Sequence, residues 1–198
     1  MKSEVIAVSS RGRGMEAALA QADQTAKKMN LTHRETLHMR LLVEEMMSMM
    51  RSIIGQLEGK LWIETEDGAY RLVLQTKTLL DSEQRRQLVS ASTSGTNAAH
   101  KGLMGMLRAF FEPMPVLDTP AFLVETLAIP GNENGELNWS LEAYRGRLRK
   151  RRDSSEDARE EWDELEKSVV SHIADNIEVS IRNNDVDLVI VKRIGARA

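Results

Sequence analysis

The sequence contains no cysteine among its 198 residues. Disulfide bonds, thiolate zinc sites and cysteine nucleophiles are therefore excluded. It also lacks an uninterrupted apolar run of the roughly 18 residues that a membrane-spanning helix needs, and its first residues show no apolar segment of signal-peptide length. We therefore expect a soluble, cytoplasmic protein without a membrane partner.

A large excess of charge of one sign is also absent. Charged residues make up 29% of the chain, yet the formal net charge is only -3. This balance is typical of a solvated globular surface and gives no global signal for nucleic acid or an anionic membrane. The four histidines lack the paired helical spacing of a metal site, so we expect solvated or capping roles and no metal at His33, His38, His100 and His172.

The first third of the chain predicts a strand followed by two helices. Residues 4–8 are rich in strand-forming side chains, and an alanine-rich helical pattern runs from Met15 to Asn30. Thr32 and Glu35 have the spacing of a capping box, which marks the start of a second helix that runs to about Gly55.

The middle of the chain predicts a hairpin and then a loop. Residues 61–78 alternate apolar and polar side chains on both sides of the turn 66–68, as in a β-hairpin. Residues 81–101 contain small polar side chains and predict a loop, after which residues 102–111 resume a helical pattern.

The last part predicts a helical insert and a closing hairpin. Residues 113–138 are irregular, whereas residues 139–175 contain two helical stretches. Two β-rich runs surround Asn183 and Asn184, which suit a tight turn. We expect an α+β fold, a two-layer sandwich of helices on a mostly antiparallel sheet, in a single domain 1–198 with a mainly helical insert at about 113–175.

The segment LLVEEMMSMMRSIIGQ, residues 41–56, places methionines directly after two glutamates. At 100° per residue, Met46, Met49 and Met50 fall on one apolar arc, which predicts a core face. Glu45 lies at the edge of this arc, where a half-buried carboxylate can have its pKa tuned. A glutamate that merely borders a core stripe is the competing interpretation.

Four segments together carry a resemblance. They are MNLTHRETLHMRLLVEEMMSMMRSI, the hairpin LWIETEDGAYRLVLQTKT, the helix GLMGMLRAFF and the final hairpin that ends in VDLVIVKRI. In this order they resemble the histidine-kinase-like ATPase superfamily, to which gyrase and MutL belong, and most closely its anti-sigma-factor serine kinases. The resemblance covers about residues 1–111 and 176–194 and implies the α+β sandwich of that superfamily.

The resemblance implies a nucleotide site with altered residues. In the superfamily a helix glutamate acts near the γ-phosphate, and an asparagine four residues later helps to bind Mg²⁺. Glu45 stands at the glutamate position and Met49 at the asparagine position. Mg²⁺ is a hard ion that prefers oxygen ligands, so a thioether is a poor replacement. The adenine-reading Asp-x-Gly-x-Gly box has no counterpart in residues 75–79.

The phosphate-binding part of the family pattern is kept only in part. Backbone N–H groups at a helix start can hold phosphate with the help of Lys101, although close helix packing is the favoured explanation of Gly102 and Gly105. The candidate site therefore contains Glu45 as the catalytic residue of an active enzyme and, for cofactor binding, Gln75, Thr76, Ser94, Gly95, Thr96, Lys101, Gly102 and Gly105.

Two further segments resemble ligand-binding motifs. SSRGRG, residues 9–14, lacks the GK[ST] ending of a phosphate loop, which favours a plain βα turn whose Arg11 and Arg13 could contact an acidic partner. Six basic residues lie within 145–152, and seven acidic residues follow within 156–166. Two antiparallel helices with paired or solvated charges are favoured over a nucleic-acid site.

The sequence therefore predicts a degenerate member of the superfamily that acts as a cytoplasmic regulatory or protein-interaction module, similar to anti-sigma factors. Its expected partner is a protein such as a transcription or signalling factor, and dimerisation is left open. No cofactor is expected. The alternative is an ATP-binding protein or serine kinase with a divergent nucleotide site, for which ATP and Mg²⁺ would be the cofactors.

Overall fold

A computed structural model describes residues 1–52, 58–66, 68–77, 137–153, 156–182 and 185–195. Within them the fold is α+β. The strands are β1 (Ile6–Ser9), β2 (Glu58–Glu66), β3 (Ala69–Lys77), β4 (Leu137–Ser140), β5 (Asn176–Arg182) and β6 (Asp185–Arg193). The helices are α1 (Met15–Lys28), α2 (His33–Ser52), α3 (Leu141–Arg151), α4 (Glu156–Lys167) and α5 (Val169–Ile173). The predicted turn residues Asn183 and Asn184, loop 81–101, helix 102–111 and most of segment 113–138 lie outside the described residues.

The strands form one antiparallel sheet in the order β1-β2-β3-β6-β5-β4. The predicted antiparallel sheet is thereby confirmed. Its first strand pairs with β2 from Ile6↔Leu61 to Ser9↔Glu58, so β1 begins two residues later than expected and β2 three residues earlier. The chain divides into two compact units, one of residues 1–76, 169–177 and 187–198 and the other of residues 77–168 and 178–186.

The connection from β1 to α1 is the plain βα turn that the sequence predicts. The Ser9 N–H donates to the carbonyl oxygen of Arg13 at 3.1 Å. Gly14 has φ +82°, and a Cβ at this position would lie 2.4 Å from the carbonyl oxygen of Ala7, so only glycine fits. The helix ends at Lys28, two residues before the predicted end at Asn30, whose φ of 53° is left-handed.

The second helix begins with the predicted capping box. The Thr32 N–H donates to Glu35 Oε2 at 2.8 Å, and the Glu35 N–H donates in return to Thr32 Oγ1 at 3.3 Å. The Thr32 hydroxyl also donates to Glu35 Oε2, at 2.7 Å. These hydrogen bonds from Thr32 lower the pKa of the Glu35 carboxyl, because they favour its charged form.

The core of the first unit contains the packed faces of α1 and α2 and the alternate, buried side chains of the strands. Small residues of α1, namely Ala18, Ala22 and Ala26, are buried at this contact. From α2 the buried side chains are Met39, Leu42, Val43, Met46, Met47, Met49 and Met50. The sheet contributes Leu61, Ile63, Tyr70, Leu72, Leu74, Leu188 and Ile190. The predicted methionine core face is thereby confirmed.

In the second unit, the helix predicted from Trp139 begins two residues later, at Leu141. Trp139 lies on β4, opposite Val179 of β5, and Ser140 caps α3 by accepting a hydrogen bond from the Ala143 N–H at 3.2 Å. A strand of four residues is too short to reveal itself by alternation, and its partner lies far along the chain. The second helical stretch is also interrupted, at Ser168, between α4 and α5.

Gly59 shows how closely α2 approaches the sheet. A Cβ at this position would lie 2.9 Å from the Gln75 carbonyl oxygen and 3.3 Å from Met50 Cε. We expect Gly59→Ala to lower the free energy of unfolding by about 1–3 kcal/mol through overpacking. The control is Gly146→Ala in α3, where nothing lies within 4 Å, and it should stabilise by about 0.5–1 kcal/mol. Urea unfolding measures both, and a stabilised Gly59→Ala protein would contradict the packing.

The capping box predicts a dependence of stability on pH. Because the folded-state pKa of Glu35 is lowered from 4.5, its contribution is fully present above about pH 4.5 and is lost as the pH falls through the lower folded value. The wild type should therefore exceed Glu35→Ala in urea midpoint at about pH 6, and this difference should shrink towards about pH 3. A difference that is constant with pH would show that the charge of Glu35 contributes nothing.

Candidate functional site

Helix α2 fixes the positions of Glu45 and Met49. Arg40 faces α1, where it forms an ion pair of 2.5 Å with Asp23. Five residues further along, Glu45 is rotated by about 140° and lies on the opposite border of the buried face. It is half-buried, as predicted, whereas Met49 is only 2% exposed. One border of α2 therefore presents a carboxylate directly beside a core thioether.

The end of β3 carries the two candidate cofactor-binding residues that the structure describes. Gln75 Nε2 donates to Asp187 Oδ1 on β6 at 2.9 Å. Thr76 Oγ1 donates to the carbonyl oxygen of Glu58 on β2 at 2.8 Å, and Thr76 is 4% exposed. Both side chains thus hold neighbouring strands together through hydrogen bonds.

The structure brings this strand end close to the second half of α2. The space around Gly59 is bounded on one side by the Gln75 backbone and on the other by Met50. The side chain of Met50 on α2 and the Gln75 backbone on β3 therefore both lie next to Gly59. Six other predicted site residues lie outside the described residues, and their role stays a prediction. They are Ser94, Gly95, Thr96, Lys101, Gly102 and Gly105.

The basic segment of residues 145–152 lies mainly on α3, which packs against the acidic α4, as expected for paired helices. The guanidinium carbons of Arg149 and Arg152 lie 5.8 Å and 5.7 Å from the centre of the Trp162 ring. Tyr144 Oη donates to Glu161 Oε2 at 2.8 Å. Cation–π contact with Trp162, which sequence reasoning missed, therefore accounts for part of this basic cluster. In the other unit, Arg13 forms an ion pair with Glu58.

A cavity of about 640 Å³, which we name the Tyr70 cavity, lies at the other end of α2. The start of α2, the first residues of β3, α5 and the end of β6 form its walls. Its lining residues are Thr32, Arg34, Glu35, His38, Tyr70, His172, Ile173, Lys192, Arg193, Ile194 and Gly195. Sequence reasoning missed this site, because its residues come from four separate segments and no local pattern connects them.

Burial and nearby charges shift the pKa values of two residues that line the Tyr70 cavity, His38 and Tyr70. Burial lowers the pKa of His38, and the positive charges of Arg34 and Lys192 lower it further. Burial raises the pKa of Tyr70, with added effects of the carboxylates of Asp175 and Glu35. The phenol therefore stays protonated at neutral pH and can donate a hydrogen bond.

No family model, no curated protein and no solved structure matches the chain. Within the described ranges, no helix is long and apolar enough to cross a membrane. The same part of the chain contains no group of three or more histidine, aspartate or glutamate side chains placed to hold a metal ion. Function is therefore argued from the geometry of these two ends of α2.

Substitution at Met49 tests whether this side chain belongs to the core. We expect Met49→Asn to lower the free energy of unfolding by about 2–4 kcal/mol, because it loses apolar burial and places an amide in an apolar environment. Met49→Leu, which conserves volume, should cost less than about 1.5 kcal/mol. Chemical denaturation measures both values, and a Met49→Asn protein as stable as Met49→Leu would place this side chain in an open site.

Proposed function

We propose that the chain is a cytoplasmic regulatory, protein-interaction module with a histidine-kinase-like ATPase fold, similar to anti-sigma factors, whose site no longer uses Mg²⁺ and nucleotide. A transcription or signalling factor is the proposed class of partner. The observation that carries the proposal is the burial of Met49, which is 2% exposed and stands four residues after Glu45.

The chemistry of Met49 supports a loss of metal binding. Residues four apart lie on the same side of a helix, so an ion beside Glu45 would meet the Met49 thioether. Mg²⁺ requires nearly octahedral oxygen ligation and loses its water reluctantly, and a buried thioether supplies neither charge nor oxygen. In the resembling superfamily an asparagine oxygen occupies this position.

The end of β3 supports the same proposal. The superfamily recognises adenine there through an aspartate and two glycines, and this chain has neither residue type in segment 75–79. Two of its polar side chains, Gln75 and Thr76, are engaged by Asp187 and by the Glu58 carbonyl. A ligand that used them would have to break these sheet contacts.

The alternative is an ATP-binding protein or serine kinase with a divergent site. The half-buried position of Glu45 on α2 favours it. In this case Glu45 acts as the base, and Lys101 and Gly102 hold phosphate oxygens.

Titration with nucleotides separates the two functions. The protein is titrated with ATP and with ADP, each with and without Mg²⁺, by calorimetry and by thermal unfolding. Our proposal predicts no Mg²⁺-dependent heat and no Mg²⁺-dependent stabilisation at millimolar nucleotide. For comparison, a ligand at 100 times its Kd would stabilise the fold by about 2.7 kcal/mol.

The neighbouring glutamate provides a matched control for the enzyme alternative. Glu44 and Glu45 are both half-buried, but they point to different borders of α2. Saturable Mg²⁺-dependent binding that is lost in Glu45→Gln and retained in Glu44→Gln would overturn our proposal and establish the nucleotide site.

A further inference from the structure

The face of α2 that lies opposite the core carries two exposed apolar side chains. Leu37 is 45% exposed and Leu41 is 39% exposed, although both are large apolar residues. They are four residues apart, so they lie one helical turn from each other on the same side of α2. Together they form an apolar centre on which another helix can pack.

The residues on both sides of these leucines continue a regular pattern. Positions 34, 37, 41, 44 and 48 follow each other at intervals of three and four residues, which is the spacing of the a and d positions in a coiled coil. At 100° per residue they span an arc of about 80°, opposite the buried methionine face. We name this surface the α2 stripe, and it consists of Arg34, Leu37, Leu41, Glu44 and Ser48.

The charges of the α2 stripe are placed symmetrically about its leucines. Arg34 lies three residues before Leu37, and Glu44 lies three residues after Leu41. The charged pair and the leucine pair therefore share one midpoint, at the level of residue 39. Neither Arg34 nor Glu44 forms an ion pair within the described part of the chain. Opposite charges at equal distances from the centre make this surface complementary to a second copy of itself that runs in the reverse direction.

We propose that the protein forms a homodimer in which the α2 stripes of two copies pack against each other as antiparallel helices. A two-fold axis then passes beside residue 39, so that Leu37 packs against the partner's Leu41 and Arg34 pairs with the partner's Glu44. A parallel arrangement would bring the two copies of Arg34 together, and likewise the two copies of Glu44. The repulsion between these like charges disfavours it.

The position of Arg34 in the first turn of α2 supports the antiparallel pairing. A positive charge is unfavourable there, because the N-terminus of a helix carries the positive end of the helix dipole. In the dimer the carboxylate of the partner's Glu44 lies beside this charge and compensates for it. The α2 stripe covers only about two heptads, so we expect a dimer that dissociates on dilution.

The α2 stripe is separate from the candidate nucleotide site. Met49 is 2% exposed on the buried face of α2, whereas the stripe lies on the opposite face. Dimerisation therefore does not rest on the proposed function, and it is tested without nucleotide or Mg²⁺.

Sedimentation equilibrium of the full chain, from low micromolar to submillimolar concentration, tests the proposal. The average mass of the wild type should rise from that of one chain to that of two. Leu41→Ala should weaken dimerisation by about tenfold, because each dimer loses two apolar contacts. Alanine is a good helix former, so this variant should keep α2 folded.

Exchange of charges tests the orientation of the two helices. Arg34→Glu and Glu44→Arg each place like charges at both ends of the antiparallel interface, and each should weaken dimerisation by about tenfold. The double variant Arg34→Glu, Glu44→Arg restores opposite charges and should dimerise about as well as the wild type. The control is Arg11→Glu, which makes the same change of charge on the β1–α1 turn and should leave the dimer unchanged.

A second readout separates an interface role of Arg34 from a structural role. In dilute solution, where the protein is monomeric, Arg34→Glu should be at least as stable as the wild type in thermal unfolding, since it removes a positive charge from the first turn of α2.

Three results would overturn the proposal. The first is a wild type that stays monomeric over the whole concentration range. The second is a dimer that Leu41→Ala and Arg34→Glu leave unchanged, because it would use another surface. The third is a double variant that dimerises as weakly as the two single charge variants, because it would exclude the antiparallel pairing of Arg34 with Glu44.

Discussion

The first unit depends on the contact between the methionine face of α2 and the β2–β3 hairpin. A Cβ at Gly59 would lie 2.9 Å from the Gln75 carbonyl oxygen, which is too close, and 3.3 Å from the methyl group of Met50. Both smaller and larger side chains destabilise a closely packed core, because the first leave cavities and the second cause overpacking. The contact places the side chain of Met50 against the sheet, on the buried face of α2, and Glu45 lies at the border of this face.

The two ends of α2 have different chemistry as a consequence. At the far end, Met49 and Met50 extend the core in the turn that follows Glu45, so this carboxylate borders a buried apolar face. At the near end, the capping box of Thr32 and Glu35 anchors the helix start beside a cavity with a buried phenol and several cations.

Local features of the fold could be predicted from the sequence because neighbouring residues determine them. The capping box, the end of α1 near Asn30 and the alternation of the β2–β3 hairpin each depend on only a few consecutive positions. The buried methionine face of α2 could be predicted from helical periodicity alone. In contrast, β4 is defined by its pairing with β5, and its four residues carry no pattern of their own.

The candidate site was predictable only in part, for a related reason. The position of Glu45 on the border of α2 follows from its spacing to the methionines, and the structure confirms it as half-buried. The hydrogen bond between Gln75 and Asp187 joins two strands that are distant in sequence, and the Tyr70 cavity collects side chains from four segments. Such contacts arise from tertiary packing, which spacing along one segment does not encode.

Our proposal holds that Met49 is a core side chain where the superfamily has a metal-binding asparagine, and that Mg²⁺ and nucleotide do not bind beside it. NMR of protein labelled at the methionine methyl groups tests it directly, with the signals of Met49 and Met50 assigned from Met49→Leu and Met50→Leu. The account predicts that neither signal moves when ATP and Mg²⁺ are added together. A saturable shift of either signal that requires Mg²⁺ and is absent with ATP alone would contradict it.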